Sequence, residues 1–400
     1  MRILRVAQDI FPDKVGGAPY HIHALSRDQA EMGHDVTVLT VSNDQSKPQT
    51  EQRAGYTLVR LSPRIELFGN ALFAGTVKYL RNAREYDVVH AHSHLFFSSN
   101  LTAAYSRVTD IPLAVTCHGL MSQRVPEWFS RFHLNTVGRF TYNAADVLFS
   151  YTAPERERLR DLGVSSDIRV IHNGIDVDRF TPVGATYDRI TDATGPAVVF
   201  VGRLVEGKRP RDVLKAFQTV QNNIPEAKLF FCGDGPLRDK LEQIVERENM
   251  RESIRFLERV PYQEMPAVYR AADLFVLASR TEGFPRSVME SMACATPILS
   301  TRLEQTEQVI EQAGRTVPVG DTTALADAMS SMLDDRAALR KLGQAGREIV
   351  MREYDWSETV EQTTQTLGTI STSTPSQQQV DSGQAEEQVI PAGSNTEHEQ

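Results

Sequence analysis

Two carboxylates, Glu282 and Glu290, stand at either end of E-G-F-P-R-S-V-M-E, inside the run from Arg280 to Ser300. Gly283 and Pro285 break the chain between them, and Arg286 to Ala295 is dense in helix formers. Glu282 is therefore expected in a turn, with Glu290 about one helical turn further in. Pro285 suits the first helical position, where its missing N–H would be unpaired anyway. The free N–H groups and positive dipole end of such a helix attract anions. Acids beside an anion site make sense if they hold hydroxyl groups, since a carboxylate accepts two O–H bonds from a vicinal diol. A diphosphate over the helix end, with a ribose at one carboxylate and a sugar at the other, would be a sugar nucleotide. A surface turn and an amphipathic helix whose acids face water would explain the same window.

The elements around this turn decide whether it lines a crevice. Ala272 to Ala278 is a short apolar run of strand character, and Pro297-Ile298-Leu299 opens another. The turn thus falls at the carboxyl end of a strand in an α/β sheet, where ligands bind. The same rhythm fills the chain. Ile3 to Ala7 reads as a strand, Gly16-Gly17 as a loop that lets backbone approach a ligand closely, Tyr20 to Met32 as a helix and Val36 to Val41 as a strand. No G-x-G-x-x-G follows the first strand, which argues against a dinucleotide-dependent dehydrogenase.

Leu113 to Gly119 is a strand ending in a lone His118, whose imidazole could donate to a hydroxyl or share a proton. His90, His92 and His94 alternate at the end of another strand. A metal reading of that trio is discounted, because a polar strand end beside an active-site crevice explains these residues as well. Glu127 to Tyr142 mixes Trp128, Phe129, Phe132, Leu134, Val137 and Phe140 with Arg131, His133 and Arg139, just after Arg124. It fits an amphipathic helix against an anionic membrane or lipid acceptor, but a helix buried on one side is the preferred meaning. Val170 to Asp176 ends a first domain in an Asn173-Gly174 turn.

After the strand Ala197–Val201 comes G-R-L-V-E-G-K-R-P, close to the phosphate loop G-x-x-x-x-G-K-[ST]. Arg209 stands where a hydroxyl should reach magnesium, and Pro210 fits that loop poorly, which argues against a nucleoside-triphosphate hydrolase. A Gly-framed strand end remains. It carries Arg203, able to clamp two phosphate oxygens, and Lys208, a point charge. Lys228 to Cys232 is a further strand, ending in Gly233-Asp234-Gly235-Pro236, a turn whose backbone could border a nucleobase.

Four hundred residues predict two domains. The net charge is −9, and the tail from Ser371 to Gln400 supplies five of the nine with no Lys or Arg. The rest is only mildly acidic, so bulk charge gives no support to a nucleic-acid partner. Ser, Thr, Gln and Glu dominate that tail, which reads as disordered. Three scattered Cys (117, 232, 294) point to a reducing compartment, neither a signal peptide nor a membrane span is apparent, and a cytoplasmic location is expected.

Taken in order, the Gly16-Gly17 loop, His118-Gly119, Asn173-Gly174-Ile175-Asp176, Gly202-Arg203-Leu204 with Lys208, Gly233-Asp234-Gly235-Pro236 and the Glu282/Glu290 pair resemble a retaining glycosyltransferase of GT-B fold, family 4 (group 1). The resemblance covers about Met1 to Leu367. It implies an α/β chain with two Rossmann-like (doubly wound) domains facing a cleft: residues 1–180 on the acceptor side and 181–350 on the donor side, with a helix at 351–370 crossing back and a polar tail at 371–400. It implies a nucleotide-diphosphate sugar as donor and an acceptor glycan, glycolipid or small molecule, without metal or other cofactor. Glu290 would bind the ribose hydroxyls and Glu282 the donor sugar; Arg203 and Lys208 would meet the diphosphate. His118 would touch the sugar from the opposite domain. Gly17, Gly202, Gly233, Asp234, Gly283, Phe284 and Arg286 complete the expected donor site, with His118, Glu282, Arg203 and Lys208 as its catalytic members.

Three positions depart from the family pattern. Arg209 replaces the usual Gly after the Lys. Pro285-Arg286-Ser287 replaces a Gly-Leu-Val type run, which adds Arg286 as a phosphate or sugar contact. Ala295 replaces a Gly, read as a packing matter. An NDP-sugar epimerase of the same fold and a non-catalytic sugar-nucleotide binder are the competing readings. The epimerase would need acid/base groups beyond His118, and the binder would be expected to have lost Glu282, His118 or Lys208.

Overall fold

A computed structural model describes residues 1–372 except 43, 45, 64, 68–69, 73–74, 122–124 and 193. Of the tail read as disordered, Ser371 and Thr372 close the last helix, and residues 373–400 lie outside the described residues, as does Arg124.

Among the described residues, ten strands precede residue 171: β1 Arg2–Val6, β2 Asp35–Val41, β3 Thr50–Arg53, β4 Tyr56–Leu61, β5 Ile65–Leu67, β6 Asn70–Leu72, β7 Val88–His92, β8 Leu113–Thr116, β9 Val147–Ser150 and β10 Asp167–Val170. Six follow: β11 Ala197–Val201, β12 Lys228–Cys232, β13 Ile254–Glu258, β14 Leu274–Leu277, β15 Ile298–Thr301 and β16 Gly314–Val317. The first sheet runs β10-β9-β8-β7-β1-β2-β4-β3, parallel except for the β3 edge, and β5 and β6 form a separate antiparallel pair. The second runs β13-β12-β11-β14-β15-β16. Counted from its own first strand, that is the order 3-2-1-4-5-6 of a doubly wound sheet.

Parallel strands need crossover helices, which cover both faces, so their sequences read as unbroken apolar runs. Ala197-Val198-Val199-Phe200 and Leu274-Phe275-Val276-Leu277 are buried throughout. Strand order reverses between β11 and β14, and between β1 and β7. Loops leaving such a pair diverge and open a crevice. The loops that carry Lys208 and Glu282 leave β11 and β14; the loop with Gly17 leaves β1.

The chain crosses between the two sheets twice, and the crossings lie side by side. Ile175 N–H donates to Tyr354 O at 2.8 Å and Trp356 N–H to Ile175 O at 3.1 Å, an isolated parallel bridge. Gly174 fits because a Cβ there would lie 2.5 Å from Thr359 Oγ1 and 2.7 Å from Asp355 O. The last helix, Trp356–Thr372, then lies on the first half. Leu367 joins the core around Ile3 and Val38, Trp356 Nε1 donates to Asp28 at 2.5 Å, and Gln29 donates to Thr364. Burying Trp356, Val360 and Leu367 contributes about 1.5–3 kcal/mol each, enough to keep the helix docked.

Two of the sequence departures have a backbone cause. Ala295 follows the helix Arg286–Ala293 with φ at +57°. Its N–H donates to Met292 O and that of Thr296 to Ser291 O, a Schellman closure. The usual Gly is therefore a matter of left-handed backbone and not of packing. Arg209 is likewise left-handed, at φ +51°. Ala295→Gly is expected to stabilise the fold by about 1 kcal/mol, read as a higher urea midpoint at unchanged m-value. An unchanged or lower midpoint would refute the strain.

Pro285 occupies the N-cap with ψ at 122°, one position before the first helical residue expected from the sequence. Extended ψ is what a residue at this boundary needs to leave the Gly283 turn.

Candidate active site

At the β11/β14 switch point Lys208 closes a short 3-10 turn, Glu206–Lys208, and its ammonium donates directly to Glu282 Oε1. Their side chains are only 16% and 12% exposed, so each is the other's main counter-charge. Arg209 turns away to Asp212, at 2.6 Å. Arg203 is exposed earlier in the same loop and has no ion pair among the described residues.

The loop after β11 is pressed against the loop after β12. A Cβ on Gly233 would lie 2.0 Å from Gly202 O, and Leu204 N–H donates to Asp234 O at 3.0 Å. Gly233 is thus required by loop–loop contact. Asp234 is exposed, its carboxylate accepting from Gly235 N–H at 2.8 Å.

The two halves meet backbone to backbone in front of Glu282. A Cβ on Gly283 would stand 3.3 Å from Gly119 Cα. His118, Gly119, Leu120 and Met121 from the first half and Thr281, Glu282 and Gly283 from the second line a cavity of about 150 Å³. Pockets that enclose small molecules run to about 300–1,000 Å³, so a nucleotide sugar enters only when the halves separate.

Arg286 bolts the halves together. It leaves the first turn of its helix and is 8% exposed. It donates to Asn173 Oδ1 (3.3 Å), Gly174 O (3.2 Å) and Tyr262 OH (3.2 Å), and its guanidinium lies over Tyr20 and Trp356. Its stem lies against Gly17, 3.6 Å from where a Cβ would be. The guanidinium thus reaches across to the first half and the second crossing.

Glu290 is buried beneath it, 4.0 Å from Arg286 Nε, accepting from Tyr269 OH at 2.9 Å. Burial raises its pKa, against the pull of Arg286. Phe284 is also buried, stacked on Tyr354, and lines no part of the cavity.

His118 has both ring nitrogens engaged. Nε2 meets His92 Nδ1 and Nδ1 meets Tyr151 OH, each at 2.9 Å. Burial holds its pKa down at about 3, so the ring is neutral. Neither nitrogen is free for a hydroxyl in this arrangement. His90 and His92 share a face with rings 4.3 Å apart, whereas His94 has left the strand and bonds Tyr142 OH at 2.5 Å. Among the described residues no three His, Cys, Asp or Glu are grouped to hold a metal ion.

Sequence reasoning missed Tyr151, Tyr262, Tyr269 and Asn173 as partners of these groups. Asn173 stands out in sequence as a turn and motif residue but not as a partner of Arg286 and His21, and the tyrosines sit on separate elements with no common spacing.

Known proteins share this architecture. Residues 189–349 match the family described as Glycosyl transferases group 1, and residues 15–179 match Glycosyltransferase Family 4. The chain is 30% identical over 396 residues to a glycogen synthase of Mycobacterium tuberculosis, covering 91% of this chain and 94% of that one. It is 28% identical to a phosphatidyl-myo-inositol mannosyltransferase of Mycobacterium leprae, covering 90% and 95%. Among solved structures, Anabaena Alr3699/HepE in complex with UDP-glucose is similar in fold, with a TM-score of 0.77 at 20% identity, covering 92% and 100%. The chain therefore belongs to the group 1 glycosyltransferases of GT-B fold.

Proposed function

We propose that the chain moves a glycosyl group from a nucleotide-diphosphate sugar to an acceptor hydroxyl, with retention of anomeric configuration and without a bound metal. The observation that carries this reading is the Lys208–Glu282 pair at the switch point, facing His118 and Gly119 across the cavity. A half-buried cation already held by a carboxylate is suited to an exchange. When a diphosphate arrives, Lys208 turns to its oxygens, and Glu282 is freed to accept hydroxyl protons from the donor sugar.

The acceptor oxygen attacks the anomeric carbon as the bond from that carbon to the leaving phosphate oxygen breaks. The acceptor's proton passes to that phosphate oxygen on the same face, giving a glycoside and a nucleoside diphosphate. Lys208, Arg203 and the N-terminus of the helix Arg286–Ala293 offset the charge that builds on the leaving group, usually the largest catalytic contribution. Glu290 takes the ribose diol once Arg286 and Tyr269 make room. His118, tied to His92 and Tyr151, shapes the sugar's wall.

The Anabaena structure holds UDP-glucose, which supports a nucleotide sugar. The acceptor is a glycan, glycolipid or small molecule; the relative from Mycobacterium leprae, a phosphatidyl-myo-inositol mannosyltransferase, favours a lipid-borne one. A cytoplasmic location, at the inner face of the membrane, fits such an acceptor.

A panel of UDP-, GDP- and ADP-sugars, with and without EDTA, tests the reading by thermal shift. One nucleotide series is expected to raise the melting temperature, undiminished by EDTA and lost in Glu290→Ala. NMR of the product should show the donor's anomeric configuration. A folded sample stabilised by no donor refutes the site; an inverted product refutes retention.

A further inference from the structure

The segment Glu127–Asn143 has its apolar residues on the wrong side for a core helix. It buries Ser130, Leu134, Gly138, Thr141 and Tyr142. Outside stand Trp128 (71% exposed), Phe132 (64%), Phe140 (47%), Val137 (42%) and Phe129 (37%). Every exposed Phe or Trp among the described residues belongs to this one segment. One side is buried, as the sequence suggested, but most of the segment's aromatic rings stand on the other.

A π-helical stretch, Leu134–Gly138, produces the alignment. At about 100° per residue, an unbroken α-helix would carry Phe140 about 120° round from Trp128. The wide turn absorbs one residue, which brings Phe140 back to about 20°, beside Phe132 at about 40°. The same shift returns Tyr142 to the core face, where its hydroxyl meets His94. Gly138 sits where a Cβ would lie 2.7 Å from His94 Cδ2, so the wide turn and the core contact belong together.

Cations flank the aromatic stripe. Arg131 and Arg139 are exposed on one side of it, and Arg107 donates to Asn143 O at the segment's end. The acid among them, Glu127, is paired with Arg131 at 2.9 Å. An aromatic stripe edged by guanidinium groups matches the interface of an anionic bilayer, with rings at headgroup depth and cations on the phosphates. None of the described helices is long and apolar enough to cross a membrane. We propose that the exposed face of Glu127–Asn143 docks the protein on an anionic lipid surface. The segment begins a few residues after Met121, which lines the cavity, so docking would bring that wall of the cleft toward the lipid. This inference goes beyond the donor chemistry and survives its failure, since a chain that binds no nucleotide sugar can still bind vesicles.

The full chain would be sedimented with vesicles of phosphatidylcholine alone and of phosphatidylcholine with phosphatidylglycerol. Binding is expected on the anionic vesicles only, weakened by salt, and reduced about tenfold or more in Trp128→Ser/Phe132→Ser. That variant is checked for folding by circular dichroism. Trp128 and Trp356 are the chain's two tryptophans, and Trp356 is buried. A blue shift on binding, quenched by brominated lipid and absent in Trp128→Phe, places Trp128 at the interface. Equal binding to neutral vesicles, binding unchanged in the double variant, or no binding at all overturns the proposal. So does a dimer in sedimentation velocity that Phe132→Ser dissolves, since a second copy would then own the face.

Discussion

Lys208→Ala lowers kcat by about 10²–10³-fold, with KM changed much less. The size follows from where the ammonium sits. With its side chain 16% exposed beside Glu282, it acts on the leaving diphosphate in a site that shields it from water. Removing one positioned donor from such a site costs about 2.7–4 kcal/mol in the transition state. Arg203 and the helix end remain, so the donor still binds and the loss falls on the chemical step. The exchange also predicts an asymmetry. Glu282→Gln keeps a hydrogen-bonding group for the sugar but releases Lys208, so its donor affinity should hold while transfer slows. Steady-state kinetics of both variants with the donor found in the panel decides this. A Lys208→Ala enzyme with raised KM and intact kcat would mean that Lys208 only holds the ground state, and the leaving-group role would be lost.

Mild acid unfolds the first half. His21, His90, His92 and His94 are buried and His118 lines the cavity half-buried, and loss of water pushes the pKa of each down, His94 and His118 to about 3. In the unfolded chain each takes up a proton near pH 6.5, whereas in the folded chain all five stay neutral there. The unfolded state thus binds more protons, and stability falls as the pH drops below about 6.5. Each histidine contributes a slope of about 1.4 kcal/mol per pH unit once its unfolded form is protonated, so five give about 7. Glu155 opposes them. Burial raises its pKa to about 7, so it favours the fold as the pH falls from about 7 toward 4.5, but it is one proton against five. Asp13, held at about 2 by Arg60 and Lys47 against its burial, matters only below pH 4. Domains are stable by about 5–15 kcal/mol, so one to two units below pH 6.5 suffice. Urea midpoints measured from pH 8 to 5 should be level down to about pH 7 and then fall steeply. A level profile down to pH 5.5 would show that the histidines are not held neutral.

What the sequence made legible was whatever a local pattern specifies. Unbroken apolar runs marked β11, β12 and β14, and the breaks after them located Lys208 and Glu282. Contacts that join distant segments left no such trace. Arg286 could be suspected as a ligand-binding cation, but its partners come from residues 17, 20, 173, 174, 262 and 356, which no spacing relates. The pairing of His118 with His92 and Tyr151 joins the ends of three neighbouring strands, and only the sheet order brings them together. In Glu127–Tyr142 the composition was visible, but the face it would turn to water depended on one extra residue in one turn. Ala295 and Arg209 show the reverse: a departure noticed in sequence acquires its reason only when φ is known.

The paired crossings have a kinematic consequence. Two bodies joined by one strand of chain can rotate about three axes. Here the links at 174–176 and 354–356 are fastened to each other by backbone hydrogen bonds, like two pins in one barrel. What survives is a single angle. The gap between Gly119 and Gly283, the reach of Arg286 to Asn173 and the freedom of Glu290 to meet a ribose all become readings of that one dial. A substitution that shifts any of them reports on the others.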